Sequence, residues 1–419
     1  MRTDFDYARE LDRIDPLVSY RERFVIDGPE IYLDGNSLGR LPKAALTLAE
    51  DLISRQWGRR LIRGWNEGWI KLSERIGAKI ARLIGASADE VLIADSTTVN
   101  LFKLAVAALR ARPERHEVVT DDLNFPSDVH ALGAAVEMAG TGQRLRIIHS
   151  QDGIDIPDEA LSDAFSSDTA LVALSHTTFK SGFTYDLNRV TQMAHRAGVQ
   201  VLWDVSHSVG AVPLRVGEAG ADFAVGCTYK YLCGGPGAPA FLYVRRDLQE
   251  VLLNPIAGWF GRDDPFGFAL DYRSAAGIKR FLTGTPPVLS TALIEPGLDL
   301  LLEAGIERVR EKSIKQTEFL IALWKDWLEP IGFVLKSPRE ASRRGSHVSL
   351  GHPEGWRIGQ ALIERAGIIP DFRPPDNLRL GVCPLYTTYS ELLDAMSTLR
   401  QIVVDRAYEE YSAKRSGVT

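Results

Sequence analysis

Between residues 91 and 244 the chain alternates short apolar strands with helical stretches, and this rhythm limits the fold more than any other feature. The strand-like runs are Val91–Ala94, Glu117–Thr120, Leu145–His149, Ala170–Leu174, Val199–Trp203, Phe223–Gly226 and Ala240–Val244. Helical patterns such as Val99–Arg110 and Asp186–Ala197 fall between them. Apolar strands separated by helices predict an α/β fold with a mostly parallel, seven-stranded sheet covered on both faces. A sheet of this kind binds ligands beyond the carboxyl ends of its strands. From about Thr291 the pattern changes to long helices, Ala292–Ala304 and Gly305–Trp327, and then to shorter mixed segments. His347–Leu350 and Leu378–Val382 read as strands, and Gly355–Ala366 and Thr388–Tyr408 as helices. The expected organisation is a large domain over residues 61–290, a smaller α+β domain over 291–419, and an N-terminal segment, 1–60, packing with the small one.

Several function classes drop out on bulk chemistry. A net charge of -6 leaves no electrostatic footprint for nucleic acid or an anionic membrane. Cys227, Cys233 and Cys383 match neither a metal-ligand spacing nor a disulfide framework, so no metal site is expected. The start, Met1-Arg2-Thr3-Asp4-Phe5-Asp6, lacks the apolar core of a signal peptide, and no apolar run is long enough to span a bilayer. The expectation is a cytoplasmic enzyme.

Polar clusters follow the strands. Lys230, in Cys227-Thr228-Tyr229-Lys230-Tyr231, lies between the strand Phe223–Gly226 and Gly234-Gly235-Pro236-Gly237. An aromatic, apolar setting disfavours an ammonium ion and leaves an amine free to form a Schiff base. Asp204 ends the preceding strand and is followed by Ser206-His207-Ser208. A carboxylate there can pair with a protonated pyridine nitrogen, as pyridoxal phosphate (PLP) chemistry requires, or it can simply cap the next turn. Asp95-Ser96-Thr97-Thr98-Val99-Asn100 opens the helix through Arg110. Its hydroxyls and free N–H groups suit a phosphate, although Ser and Thr are also ordinary helix caps. In Asn124-Phe125-Pro126-Ser127-Asp128 the aromatic ring could stack on a pyridine face; alternatively the segment is a proline turn. The stretch Gly235-Pro236-Gly237-Ala238-Pro239-Ala240 fits a relaxed dinucleotide fingerprint but leads into a strand instead of opening a helix, which excludes NAD.

Taken in order, these pieces resemble kynureninases, bacterial members most closely, from about Ile31 to Tyr389. The resemblance rests on Tyr32-Leu33-Asp34-Gly35-Asn36-Ser37-Leu38-Gly39, Gly64-Trp65-Asn66, the clusters at Asp95, Asn124, Trp203 and Lys230, and Gly258-Trp259-Phe260-Gly261. It continues through Gly284-Thr285-Pro286-Pro287, Arg344 to Ser349, and Arg379 with Pro384-Leu385-Tyr386. It implies the fold of the aspartate-aminotransferase type (fold type I), a homodimer with shared active sites, and PLP as cofactor. It further implies that Lys230 carries PLP, that Asp204 meets the ring nitrogen and that Phe125 stacks on the ring. Thr97, Thr98, Pro126, Ser127, Asp128, His207 and Tyr229 would surround the cofactor, with Tyr229 also a candidate proton donor. Trp259 and Thr285 would reach the phosphate from the partner subunit. Arg379 would grip the substrate carboxylate, and Asn36 and Trp65 would lie near the substrate. The implied reaction is hydrolysis of the Cβ–Cγ bond of L-kynurenine or 3-hydroxy-L-kynurenine, giving anthranilate or 3-hydroxyanthranilate and L-alanine, within tryptophan catabolism and NAD biosynthesis. Competing readings are a β-lyase or desulfurase of the same fold, or cleavage of a modified aryl-keto amino acid. Three positions depart from the family wording: Arg262 where histidine is usual, Cys233 where asparagine is usual, and Thr178-Phe179 in place of an Asn-Tyr pair. Arg262 either favours a more polar or anionic substrate or is a solvated loop charge.

Overall fold

The computed structural model describes residues 1–415; residues 416–419 of the expected 291–419 unit lie outside the described residues. Strand β1 (Ile31–Tyr32) precedes a run comprising β2 (Val91–Ile93), β3 (Glu117–Asp121), β4 (Arg144–Ile148), β5 (Thr169–Ser175), β6 (Gln200–Asp204), β7 (Phe223–Gly226) and β8 (Phe241–Val244). These last seven form one sheet in the order β2-β8-β7-β6-β5-β3-β4. β8 runs antiparallel to both its neighbours, and every other pairing is parallel. Each expected strand is therefore present. β5, β6 and β7 are buried along their whole length, as helices on both faces require. One apolar cluster, around Trp203, Phe241, Ile80 and Leu298, covers one face; a second, around Leu104, Leu132, Phe223 and Phe281, covers the other.

A second sheet is built from β9 (Val334–Leu335), β10 (His347–Gly351), β12 (Asp371–Arg373) and β13 (Asn377–Gly381), in the order β12-β13-β10-β9; the intervening β11 (Ile368–Ile369) pairs instead with β1. Its two central strands alternate strictly, His-Val-Ser-Leu-Gly and Asn-Leu-Arg-Leu-Gly. Side chains one residue apart leave a strand on opposite faces. Val348, Leu350, Leu378 and Leu380 therefore enter a third apolar cluster with Phe319, Trp324 and Met396, while His347, Ser349 and Arg379 share the other face.

The N-terminal segment divides between the two bodies. Ala8 and Leu33 belong to the cluster under the small sheet, whereas Leu17, Tyr20, Phe24 and Leu52 pack into the large one. The helix expected over Ala292–Ala304 is broken into Val288–Ala292 and Ile294–Ala304. Pro296 has no N–H to donate to Ala292, so the helix restarts with proline in its first turn. The final helix stops at Val404 instead of Tyr408, with Arg406 in the left-handed region at φ 54°.

Candidate active site

The carboxyl ends of β2, β3, β5, β6 and β7 open onto one pocket, and residues from Asn36–Ser37 and from the small sheet close it. Helix Thr97–Arg110 follows β2, and Ser96 is its cap, with Oγ accepting from the Val99 N–H. That frees the Thr97 and Thr98 hydroxyls, and both residues line the pocket. Thr98 Oγ1 lies 2.7 Å from Ser127 Oγ, tying this helix start to the next one. The second helix, Pro126–Ala139, begins with proline at its first position, where a fixed φ suits the turn and the missing N–H costs nothing. Pro126 itself does not line the pocket: it sets the helix that presents Phe125, Ser127 and Asp128 to it. Phe125, half-exposed, meets Phe179 edge-on, ring centroids 5.2 Å apart.

Two carboxylates face one another at the pocket floor. Asp204 ends β6 and accepts the Ser206 N–H at 2.8 Å. Asp128 is buried, and its Oδ2 meets no partner among the described residues. Burial, and then the neighbouring Asp204, push the Asp128 carboxyl well above the usual range, while Lys230 opposes the shift. Such a pair calls for a cation between or beside its oxygens. Lys230 reaches toward it from the turn after β7, with Nζ 3.1 Å from His207 Nε2 and 3.3 Å from His207 Nδ1. This corrects the expectation of an apolar setting: the lysine is framed by an imidazole and two carboxylates. Burial, then Lys230, hold the His207 imidazole well below its ordinary pKa, so it is neutral. Burial raises the Tyr229 hydroxyl and keeps it protonated.

Across the pocket stands Arg379, 1% exposed. Its guanidinium is held by Asp371, by the Phe179 carbonyl and, at 3.1 Å, by Ser37 Oγ. Asn36 is fully buried with neither side-chain polar atom partnered among the described residues. It fits because residue 381 is glycine: a Cβ there would stand 1.9 Å from Asn36 Oδ1.

Trp65, Trp259 and Thr285 are not brought to the pocket of their own chain. Trp65 packs on Trp69 and Phe260 at 5.8 and 5.6 Å, and Trp259 on Phe260, Phe266 and Phe268. Phe268 and Leu270 beside them are 75% and 103% exposed, and Thr285 is exposed as well. Arg262 is likewise outside the pocket, bonded through Nη1 to the Ala269 carbonyl at 2.6 Å. Of the other departures, Phe179 does line the pocket, and Cys233 is buried behind Lys230 with φ 54°. Sequence reasoning missed Ser37, Ser206 and Arg373, which also line the pocket, and Asp371, which pairs with Arg379. The signal for the last pair was the alternation Asp371-Phe372-Arg373, a strand too short to stand out beside Pro374-Pro375. Among the described residues no cluster of His, Cys, Asp and Glu could hold a metal ion. All three cysteines are buried.

Comparison with known proteins fits this geometry. Residues 309–399 match the model of the kynureninase C-terminal domain. The chain is 43% identical over 398 residues to the kynureninase of Pseudomonas fluorescens, covering 94% of each chain. It is 41% identical over 418 residues to that of Burkholderia mallei, covering 98% of this chain and 99% of the other. Among solved structures it is similar to the cysteine desulfurase of Thermococcus onnurineus, with TM-score 0.78, 17% identity and 97% and 99% coverage. It is also similar to the cysteine desulfurase CsdA of Escherichia coli, with TM-score 0.79, 19% identity and 94% and 99% coverage. At these identities the structural likeness shows the shared fold, the one expected from the alternating strands.

Proposed function

The chain belongs to the kynureninase family, and from that premise we propose that it hydrolyses L-kynurenine or 3-hydroxy-L-kynurenine to anthranilate or 3-hydroxyanthranilate and L-alanine, using pyridoxal phosphate carried on Lys230. The observation behind the residue assignment is the buried carboxylate pair beside a lysine, with a fixed guanidinium opposite. The unpartnered Asp128 Oδ2 and its repulsion from Asp204 fit a protonated pyridine nitrogen, and the Thr97, Thr98 and Ser127 hydroxyls at two helix starts fit a phosphate. The cofactor residues are then Thr97, Thr98, Phe125, Ser127, Asp128, Asp204, His207, Tyr229 and Lys230.

When bound, the cofactor supplies an electron sink for the substrate α-carbon. The chain positions and moves protons around it. Arg379, immobilised by Asp371 and Ser37, receives the substrate carboxylate and fixes which α-bond faces the lysine. The Lys230 amine takes the α-proton and later returns a proton to the product side. Water adds to the γ-carbonyl and the Cβ–Cγ bond breaks, leaving the aryl carboxylate. Tyr229, protonated and at the pocket wall, gives the proton that the released β-carbon needs. His207 stays neutral and accepts a hydrogen bond from Lys230 Nζ, holding that amine in line.

Trp259 and Thr285 act across a homodimer in this reading, supported by the exposed Trp259, Phe266, Phe268 and Leu270 on the segment that carries them. Trp65, in the same aromatic group, lies toward the aryl end of a neighbouring site. Residues 61–290 and 291–419 are taken as the large and small domains. No helix among the described residues is long and apolar enough to cross a membrane, and a cytoplasmic location is part of the proposal. A desulfurase reading lacks an accessible thiol, since burial raises Cys233 well above its ordinary pKa. The test is release of fluorescent anthranilate from L-kynurenine: wild type turns over, Lys230→Ala does not, and a silent wild type refutes the assignment.

A further inference from the structure

The pocket contains two arginines, and they are not equivalent. β12 and β13 pair antiparallel with Asp371 directly opposite Arg379, and Arg373 lies two residues along on the same face. One buried carboxylate is thus shared by two guanidiniums: Asp371 Oδ2 accepts from Arg373 Nε at 2.9 Å and also from Arg379. Arg379 has all three nitrogens engaged, with Asp371, the Phe179 carbonyl and Ser37. Arg373 is held more loosely. It lines the pocket, keeps 32% of its side chain exposed, and reaches Ser37 Oγ only at 3.5 Å. Arg379 can meet an incoming anion only with the terminal N–H groups its own partners leave over, in a fixed direction, whereas a guanidinium tethered at Nε can swing its two terminal nitrogens onto it.

We propose that Arg373 is a specificity-determining residue: it supplies the free half of a two-arginine clamp for the substrate carboxylate, while Arg379 forms the fixed half. The assignment rests on the kynureninase reading for the identity of the substrate, though not for the charge it recognises. Asp34 opposes the clamp. It is half-buried near the same two arginines, with Oδ1 shielded and unpartnered among the described residues, and burial, then Asp371, raise its carboxyl to about 6. Neutralising Arg373 and neutralising Asp34 therefore act on a bound carboxylate with opposite signs.

The test uses the PLP-loaded protein and calorimetric titration with 4-oxo-4-phenylbutanoate, an aryl-keto acid without the reacting amine, beside its neutral carboxamide. Arg373→Gln should weaken the acid by roughly ten- to a hundredfold, the range of a lost hydrogen bond to a charged group, and leave the carboxamide unchanged. Arg373→Lys should fall between, and Asp34→Asn should tighten the acid. In turnover, Arg373→Gln should raise KM for kynurenine much more than it lowers kcat. Equal weakening of acid and carboxamide marks a merely structural role and overturns the proposal, as does an unchanged acid affinity. A wild type that releases no anthranilate refutes the function beneath it, and the calorimetry then still decides whether Arg373 recognises a carboxylate.

Discussion

Gly39 closes the segment Tyr32–Gly39 directly against the Lys230 turn, which makes Gly39→Ala the sharpest probe of how the N-terminal segment shapes the site. Its N–H donates to the Tyr229 carbonyl at 2.8 Å. A Cβ on residue 39 would stand 2.3 Å from the Lys230 carbonyl oxygen and 2.5 Å from Cys233 Sγ. Contact at 3.0 Å is the lower limit for a real Cβ, so backbone must part by about 0.7 Å, the difference of 3.0 and 2.3. Overpacking of this kind costs about 1–3 kcal/mol, which lowers Tm by only about 1–3 °C in a chain this large. The displaced group is the peptide of the reactive lysine, and an error near 1 Å in reacting geometry costs on the order of 100-fold. We expect kcat/KM to fall about 10- to 100-fold, measured by anthranilate fluorescence beside a thermal melt. Adding Cys233→Ala should restore little, because the nearest obstacle is backbone. A Gly39→Ala protein with wild-type Tm and kcat/KM would refute the close approach.

Other perturbations separate the remaining supports. Lys103, fully buried, bonds Asp95 at 2.6 Å and the Phe281 carbonyl at 2.8 Å; Lys103→Met strands a carboxylate that is one-quarter exposed and should cost about 2–4 kcal/mol by urea denaturation. In cofactor-free protein the raised Asp128 pKa means the folded state holds that proton more tightly than the unfolded one. Its stability contribution is complete below about pH 4 and is lost as pH rises toward the folded value. Cofactor-free Asp128→Asn should therefore melt above wild type at pH 8, match it at pH 4, and gain less from added PLP. Cys233, at φ 54°, should tolerate asparagine with a cost below about 1 kcal/mol, whereas valine, β-branched and ill-suited to that region, should cost about 2–3 kcal/mol; equal Tm values for the two would contradict the left-handed backbone.

What the sequence disclosed follows from how far each signal reaches along the chain. β5, β6 and β7 of the large sheet were legible because they are buried on both faces, so burial appears as an unbroken apolar run. Asp204 and Lys230 were legible for a related reason: both follow such runs directly. β1, β9 and β11 are two residues long and β12 three, too short for any period to show. Arg373 and Asp371 were lost with them. The ambiguity between capping and phosphate binding at Ser96-Thr97-Thr98 was a real one at sequence level, and the structure divides the labour: Ser96 caps and the two threonines face the pocket. The lysine's surroundings were misjudged because Tyr229 and Tyr231 are its neighbours in sequence, while His207 and Asp128 become neighbours only when β3, β5, β6 and β7 assemble into one sheet.

The residues that stay outside the pocket obey a logic of their own. Trp259 and Thr285 flank a segment pinned where its two ends meet: the Thr283 carbonyl accepts the Phe260 N–H, and Thr283 Oγ1 donates to Asp95 Oδ1 at 3.1 Å. Asp95 is in turn held by Lys103 and stands one turn before Thr97 and Thr98. The segment that exposes Trp259, Phe266 and Phe268 is therefore fastened to a carboxylate that immediately precedes the Ser96-capped helix start at the proposed phosphate end. In the proposed dimer, that aromatic surface and the Thr97 helix start are linked through the Thr283–Asp95 hydrogen bond. Arg262 sits on the far side of this segment, bonded back to Ala269. In the proposed dimer Arg262 belongs to the same segment as Trp259, and we propose that its effect on substrate choice be tested by comparing kynurenine, 3-hydroxykynurenine and a carboxylated analogue in Arg262→His. Phe179 is the departure in direct contact with the pocket, where its carbonyl holds Arg379 and its ring braces Phe125.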